Sequence, residues 1–137
     1  MRAVAILFLA LLIVQVVPAE SKRPVIVDIH APRAAIREIL LKHTPVGSSM
    51  AYVTGFISKR LETSGSISAI KVEPAKAALP ARATKTILVS LGQYYKRLGA
   101  VFLTAPMVVH EDVSALWLFD PNGRLIDIAV EKQARVY

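Results

Sequence analysis

Two alternating segments joined by a turn sequence constrain the fold of this 137-residue chain more than any other feature. Apolar residues fall at every second position in 113–119, and again in 125–131. Between them, Asp120-Pro121-Asn122-Gly123 combines the fixed φ of proline with two residues that tolerate positive φ. This arrangement predicts an antiparallel β-hairpin with one apolar face. The residues predicted to face the core are Val113, Ala115, Trp117 and Phe119 on the first strand and Ile126, Ile128 and Val130 on the second.

Two helical patterns precede the hairpin. The first begins at Pro32, which suits the first turn of a helix, and stops at residues 44–47. The second follows Ser48 or Ser49, whose hydroxyl is expected to cap it, and ends near Gly65. The apolar positions at helical spacing are Ile36, Ile39 and Leu40, with His43 as a partly buried neighbour, and then Met50, Val53, Phe56, Ile57 and Leu61.

The order of these elements indicates the fold class. Weaker patterns predict strands at 25–29, 67–72 and 86–91, an exposed loop at 73–84, a turn at 96–99 and a short extended piece at 100–103. Helices followed by antiparallel strands are typical of an α+β fold and disfavour a parallel nucleotide-binding fold. We expect residues 32–137 to form one domain, in which an N-terminal helical hairpin packs on a C-terminal antiparallel sheet of three to four strands.

The first residues have the three parts of a secretory signal peptide. Arg2 provides a basic start, residues 3–17 are apolar, and small or branched residues precede a cut before Glu20. The apolar run is shorter than the roughly 20 residues that span a bilayer. A cleaved signal peptide at 1–19 is therefore predicted, with a retained anchor or a buried core helix as alternatives. Residues 20–31 are expected to be a linker with an edge strand, and the protein to be periplasmic or extracellular.

Composition excludes several classes of site. The chain has no cysteine, so it has no disulfide, no thiolate zinc site, no cysteine nucleophile and no lipidated cysteine. Its 17 Lys+Arg outnumber its 10 Asp+Glu, for a net charge of +7. An exported protein of this charge attracts anionic lipid and acidic envelope polymers, although a solvated surface explains the same charge. No basic stripe with interleaved aromatic residues is present, so nucleic acid is not an expected partner.

Residues that could carry catalysis or bind a metal are few. Asp28 with His30, and the run His110-Glu111-Asp112, supply ligand types for a cation, but their spacing does not compel three or four ligands to converge. Ser48 and Ser49 lack the Gly-x-Ser-x-Gly context of a nucleophile and sit where a helix cap is needed. Neither Gly-x-Gly-x-x-Gly nor a P-loop occurs. We therefore predict no enzyme activity, no metal and no cofactor.

The strongest candidate for a binding surface is the run Tyr94, Tyr95, Lys96 and Arg97. Aromatic residues are common at binding hot spots, and adjacent residues of an extended chain point to opposite sides. One of the two tyrosines is therefore expected to be exposed beside the basic pair. Trp117, by contrast, is expected in the core.

Two motifs, in this order, suggest a family. Residues 45–57 contain Pro-Val-Gly-Ser-Ser-Met, then Val53 and Phe56-Ile57, and residues 117–128 read Trp-Leu-Phe-Asp-Pro-Asn-Gly-Arg-Leu-Ile-Asp-Ile. This order resembles the SmpA/OmlA outer-membrane assembly lipoproteins and the wider group with a β-lactamase-inhibitor-like ααβ layout. The resemblance implies a non-catalytic protein-binding module of the bacterial envelope. The lipidated cysteine of those proteins is missing, and the 73–84 loop has no counterpart, so neither their anchoring nor any binding residue is carried over.

Three functions therefore remain open at the level of sequence. The first is an exported module that binds an envelope protein. The second is a protein that associates with an anionic membrane surface through its basic charge and a retained N-terminal anchor. The third is a small secreted hydrolase or metal enzyme.

Overall fold

The computed structural model describes residues 23–63, 68–74, 82–98 and 107–136. Its elements are β1 (Val25–Val27), α1 (Arg33–His43), α2 (Met50–Lys59), β2 (Leu61–Thr63), β3 (Ser68–Pro74), β4 (Lys85–Leu98), β5 (Met107–Phe119) and β6 (Leu125–Val136). The predicted signal segment 1–19, Gly65, most of the loop 73–84 and the extended piece 100–103 lie outside the described residues. Neither helix in the described ranges has the length and apolar character needed to cross a membrane.

The described residues form two sheets and two helices, and the α+β class is confirmed. β3, β4, β5 and β6 form an antiparallel sheet in that order, while β1 and β2 form a small parallel pair. α1 makes its main contacts with β6, and α2 with β2. The strands predicted at 25–29 and 67–72 are present with slightly different bounds.

The predicted hairpin is confirmed as β5–β6. The Asp120 carboxylate accepts hydrogen bonds from the backbone N–H groups of Asn122 and Arg124, both at 2.9 Å, and Gly123 takes a φ of 73°. The four residues of β5 that were predicted to face the core are all fully buried. On β6, a register shift opposite Leu118 and Phe119 puts Leu125 in the core in place of the predicted Ile126.

Two predictions about element ends are wrong. Residues 96–98 are not a turn, because β4 continues to Leu98 in register with β5. Strand pairing there is made by the backbone, so it persists where the side chains become polar and the apolar alternation fades. The second helix ends at Lys59 rather than near Gly65, and Leu61 belongs to β2, where it pairs with Val25 and is buried. Burial of Leu61 suits either a helix or a strand, so its spacing did not distinguish them.

The helices and the main sheet share one core. Trp117 is fully buried, as predicted, and its Nε1–H donates to Thr44 Oγ1 at 3.0 Å, while the Thr44 hydroxyl donates to the Leu40 carbonyl at 2.8 Å. This pair of bonds satisfies the buried indole and the end of α1 together. His43 is partly buried, as predicted, and its ring stacks on Phe56 at 5.8 Å. Ser49 caps α2 by accepting from the Tyr52 N–H.

Candidate functional site

β4, β5 and β6 continue past the core as a three-stranded extension. We call residues 93–98, 107–112 and 133–136 the distal sheet end. Large apolar side chains are exposed there: 70% of Tyr95, 43% of Leu98, 40% of Val108 and 58% of Val136. Exposed apolar side chains gathered in one region are the feature that commonly marks an interaction surface. The distal sheet end is therefore the candidate site.

The four residues predicted as one patch lie on two faces of this sheet. β4 pairs Tyr94 with Glu111 and Tyr95 with His110, and side chains alternate between faces along a strand. Tyr94 and Lys96 lie on the face that carries the core, which we call the inner face. Tyr95 and Arg97 lie on the opposite, outer face. The structure thus places each predicted residue in the candidate site but separates them into two pairs.

On the inner face, Tyr94 is the centre of a polar cluster. Its hydroxyl donates to Glu111 Oε2, and Lys132 Nζ lies 3.4 Å from the hydroxyl oxygen and 5.3 Å from the ring centroid. Lys132 Nζ also donates to the Ile29 carbonyl at 2.8 Å, and the His30 ring packs on Tyr94 at 4.3 Å. These contacts tie the loop after β1 to the sheet. Tyr94 therefore has a structural role, and is less available to a partner than Tyr95.

The environment of Tyr94 shifts its acidity. Its hydrogen bond to Glu111, with partial burial and then the negative charges of Glu111 and Asp28, raises the pKa of Tyr94 from 10.0 to about 12. When the pKa of a group is higher in the folded than in the unfolded state, its neutral form stabilises the fold. This effect is complete at a pH below the unfolded-state pKa and is lost as the pH rises through the folded-state pKa. The stabilising effect of Tyr94 should therefore disappear between about pH 10 and about pH 12.

This pH dependence is a testable prediction. We expect the free energy of unfolding of the wild type to fall more steeply above about pH 10 than that of Tyr94→Phe, which has no phenol to ionise. Urea unfolding followed by circular dichroism at a series of pH values measures both slopes. Glu111→Gln removes the charged acceptor, so the pKa of Tyr94, followed by its ultraviolet absorbance, should fall toward its ordinary value. Equal slopes for wild type and Tyr94→Phe would contradict the contact with Glu111.

On the outer face, Tyr95 lies over a histidine. Its ring stacks on that of His110, with 5.0 Å between centroids and 20° between planes. Asp112 forms an ion pair with Arg135, with 3.3 Å between Asp112 Oδ2 and Arg135 Nε. Asp112 Oδ1 lies 3.7 Å from His110 Nε2. Cross-strand pairing thus assembles an exposed ring and guanidinium groups from β4 and β6 around the side chains of β5. The arrangement presents surfaces for stacking and for ion pairing.

The residues considered as metal ligands do not converge. His30 and Asp28 lie in the turn after β1 rather than on a strand, and the Asp28 carboxylate accepts from the His30 backbone N–H at 2.9 Å. His110 and Asp112 share the outer face, while Glu111 lies on the inner face. Across the described ranges, no three His, Asp or Glu side chains are grouped so that they could hold a metal ion.

Sequence reasoning missed several members of the site. Lys132 and Arg135 come from the end of β6, which alternation predicted only as far as residue 131. The signal that was available is the charged and polar run Glu131-Lys132-Gln133-Ala134-Arg135, which directly continues a strand. Its register against β5, which brings Arg135 beside His110, exists only in the folded sheet.

The arrangement is chemically suited to binding. In the described part of the distal sheet end, the Tyr95 ring, guanidinium groups and amides are exposed. Of the two serines proposed as helix caps, Ser49 caps α2, and the Ser48 hydroxyl donates to the Pro45 carbonyl. Comparison with protein-family models, with curated proteins and with solved structures finds no match.

Proposed function

We propose that this chain is a non-catalytic protein-binding module exported to the bacterial cell envelope. The signal-peptide pattern at 1–19 supports export, and the motif order at 45–57 and 117–128 supports an envelope module. The proposal includes cleavage before Glu20 and a helical hairpin that covers one face of the sheet. Supporting the last point, Ile36 and Leu40 of α1 belong to the same buried core as Trp117 of the sheet.

The observation that carries the proposal is the exposure of Tyr95. Its side chain is 70% exposed, yet its ring is held by stacking on His110. A tyrosine offers a large contact area at a small loss of conformational entropy, and tyrosine and arginine are enriched at binding hot spots. Tyr95 beside Arg97 therefore supplies the anchor that a protein partner would bury.

A paired substitution tests the distal sheet end by removing Tyr95 from its outer face and Lys96 from its inner face. We expect Tyr95→Ala with Lys96→Ala to weaken recovery of the partner by about tenfold, which corresponds to about 1.4 kcal/mol of binding free energy. The measurement is crosslinking in cells, capture of the tagged full-length chain and quantification by mass spectrometry. Peptides from the mature N-terminus in the same sample show whether cleavage occurs before Glu20.

Val46→Ala is the matched control, because Val46 is 64% exposed and lies away from the distal sheet end, in the loop between α1 and α2. It should leave recovery unchanged, and both variants should retain the circular dichroism spectrum of the wild type. Recovery unaffected by the paired substitution would exclude Tyr95 and Lys96 as the binding surface. Failure to recover any envelope protein would contradict the proposed function.

Attachment to an anionic membrane surface is the second candidate. It is favoured by the exposed cations Lys96, Arg97 and Arg135, which lie near exposed Val108 and Val136. Attraction between exposed charges weakens as salt rises, because the screening length falls to about 8 Å at physiological ionic strength. If the chain is recovered only with lipid-associated material, and is released from it between low and physiological salt, this candidate is favoured over a protein partner.

A further inference from the structure

The outer face of the distal sheet end carries two guanidinium groups with free binding capacity. Arg97 is exposed and makes no hydrogen bond or ion pair within the described residues. Arg135 is 62% exposed and is held through Nε by Asp112, and its two terminal nitrogens have no partner in the described part of the chain. A guanidinium group anchored at one nitrogen keeps its planar fork oriented for a carboxylate.

These two arginines flank an aromatic surface. Tyr95, His110 and Arg135 form one row across β4, β5 and β6, and Arg97 lies on β4 in the next row toward the tip, opposite Val108. Two strand spacings separate β4 from β6, so the two backbones are about 10 Å apart. The row next to Tyr95, His110 and Arg135 contains Gln93, Asp112 and Gln133, so one amide lies on each side of the Asp112 carboxylate.

The sign of charge changes along this face. Arg97 lies nearest the tip and Arg135 one row further in. Asp112 lies in the row after Arg135, and the exposed Glu131 pairs with Ser114 in the row after that. A membrane surface presents negative charge uniformly and would be repelled by Asp112 and Glu131. A peptide can instead place its carboxylates against the two arginines and its amide groups against Gln93 and Gln133.

We propose that the outer face binds an acidic, extended peptide segment of the partner protein. The proposal rests on the proposed function, because it names what that partner presents to the same surface. Carboxylates of the segment pair with Arg97 and Arg135, and its chain packs over the Tyr95 ring. An extended chain advances about 3.3 Å per residue, so carboxylates about two to four residues apart match the spacing of the arginines.

The test is titration of the full-length chain into a fluorescein-labelled peptide of alternating glutamate and threonine, followed by fluorescence anisotropy. We expect measurable binding that weakens as salt rises, and about tenfold weaker binding of the same peptide with glutamine in place of glutamate. Arg97→Gln with Arg135→Gln should weaken binding of the glutamate peptide by about tenfold or more. The matched control, Lys42→Gln with Lys59→Gln, removes the same net charge from the exposed ends of α1 and α2 and should bind as the wild type does.

Equal binding by the two double variants would overturn the proposal, because binding would then depend on net charge alone. So would capture of the chain by phosphatidylglycerol vesicles, dependent on Arg97 and Arg135, without binding of the glutamate peptide. The crosslinking experiment separates this proposal from the proposed function. A partner lost with Tyr95→Ala and Lys96→Ala but retained with Arg97→Gln and Arg135→Gln would refute the acidic segment and leave the binding module in place.

Discussion

Replacing Trp117 by alanine should lower the free energy of unfolding by about 3–5 kcal/mol. The indole is fully buried between the sheet and the helices, so its loss removes apolar contacts and leaves a cavity. It also leaves Thr44 Oγ1 without the donor that now lies at 3.0 Å. Urea unfolding followed by circular dichroism measures the change. Fluorescence cannot be used for the variant, because Trp117 is the only tryptophan in the chain.

Trp117→Phe is the matched control, because it keeps an aromatic ring and removes the indole N–H. We expect it to cost about 1–2 kcal/mol, from one lost buried hydrogen bond and imperfect packing. A loss below about 1 kcal/mol for the alanine variant would show that Trp117 is not a core residue in solution. In the wild type, tryptophan emission should shift to longer wavelength on unfolding, as buried indole becomes hydrated.

Removing the two arginines of α1 should expose an edge of the sheet. Among the described strands, β6 pairs with β5 alone. Arg33 and Arg37, one helical turn apart, donate to the Lys132 and Ile128 carbonyls at 3.0 Å each. Carbonyls four residues apart on a strand point to the same side. The guanidinium groups therefore occupy acceptors that would otherwise be open to a strand from another molecule.

We expect Arg33→Met with Arg37→Met to lower the free energy of unfolding by about 1–3 kcal/mol and to cause concentration-dependent self-association. Urea unfolding measures the first effect, and sedimentation velocity at several protein concentrations measures the second. Lys42→Met with Lys59→Met introduces the same residue type at exposed helical positions and should do neither. A monomeric arginine variant with wild-type stability would show that these contacts do not protect the edge.

Asp127→Asn removes the ion pair of Arg37 and keeps the hydrogen bond of Arg37 to the Ile128 carbonyl. Arg37 lies 2.6 Å from Asp127 Oδ1, but both side chains are more than two-fifths exposed, at 46% and 42%. Exposed ion pairs contribute about 0–1 kcal/mol, so this variant should have a small effect on stability and none on self-association. A large effect would assign the role of Arg37 to its charge instead of its bond to the Ile128 carbonyl.

Local chemistry accounts for what could be predicted. The turn at 120–123 depends on one proline, one glycine and the Asp120 side chain, all adjacent in sequence. The Ser49 cap and the burial of Trp117 follow from composition and spacing over a few residues. The ends of β4 and β6 were missed because polar strand residues carry no apolar alternation, although the same backbone bonds hold them.

The faces of Tyr94 and Tyr95 on β4 could not be predicted from the alternation of the strand. Continuing the alternation of Ile87, Val89 and Leu91 would put Tyr95 on the inner face. The register shift between Ser90 and Gly92 adds one residue to β4, and Gly92 adopts a φ of 137° there. One inserted residue reverses the faces of everything beyond it. Tyr94 is therefore turned toward Lys132, and Tyr95 toward solvent.

The sequence by itself determined the α+β class, the two helices, the final hairpin and the burial of Trp117, because each depends on patterns within one segment. Only the tertiary structure decided which tyrosine is exposed and which charges surround it. Arg135 reaches Asp112 from β6, and Lys132 reaches Tyr94 from the same strand, over separations that no local pattern encodes. The physical reason is that strand register, set by backbone pairing and by a bulge, positions these side chains.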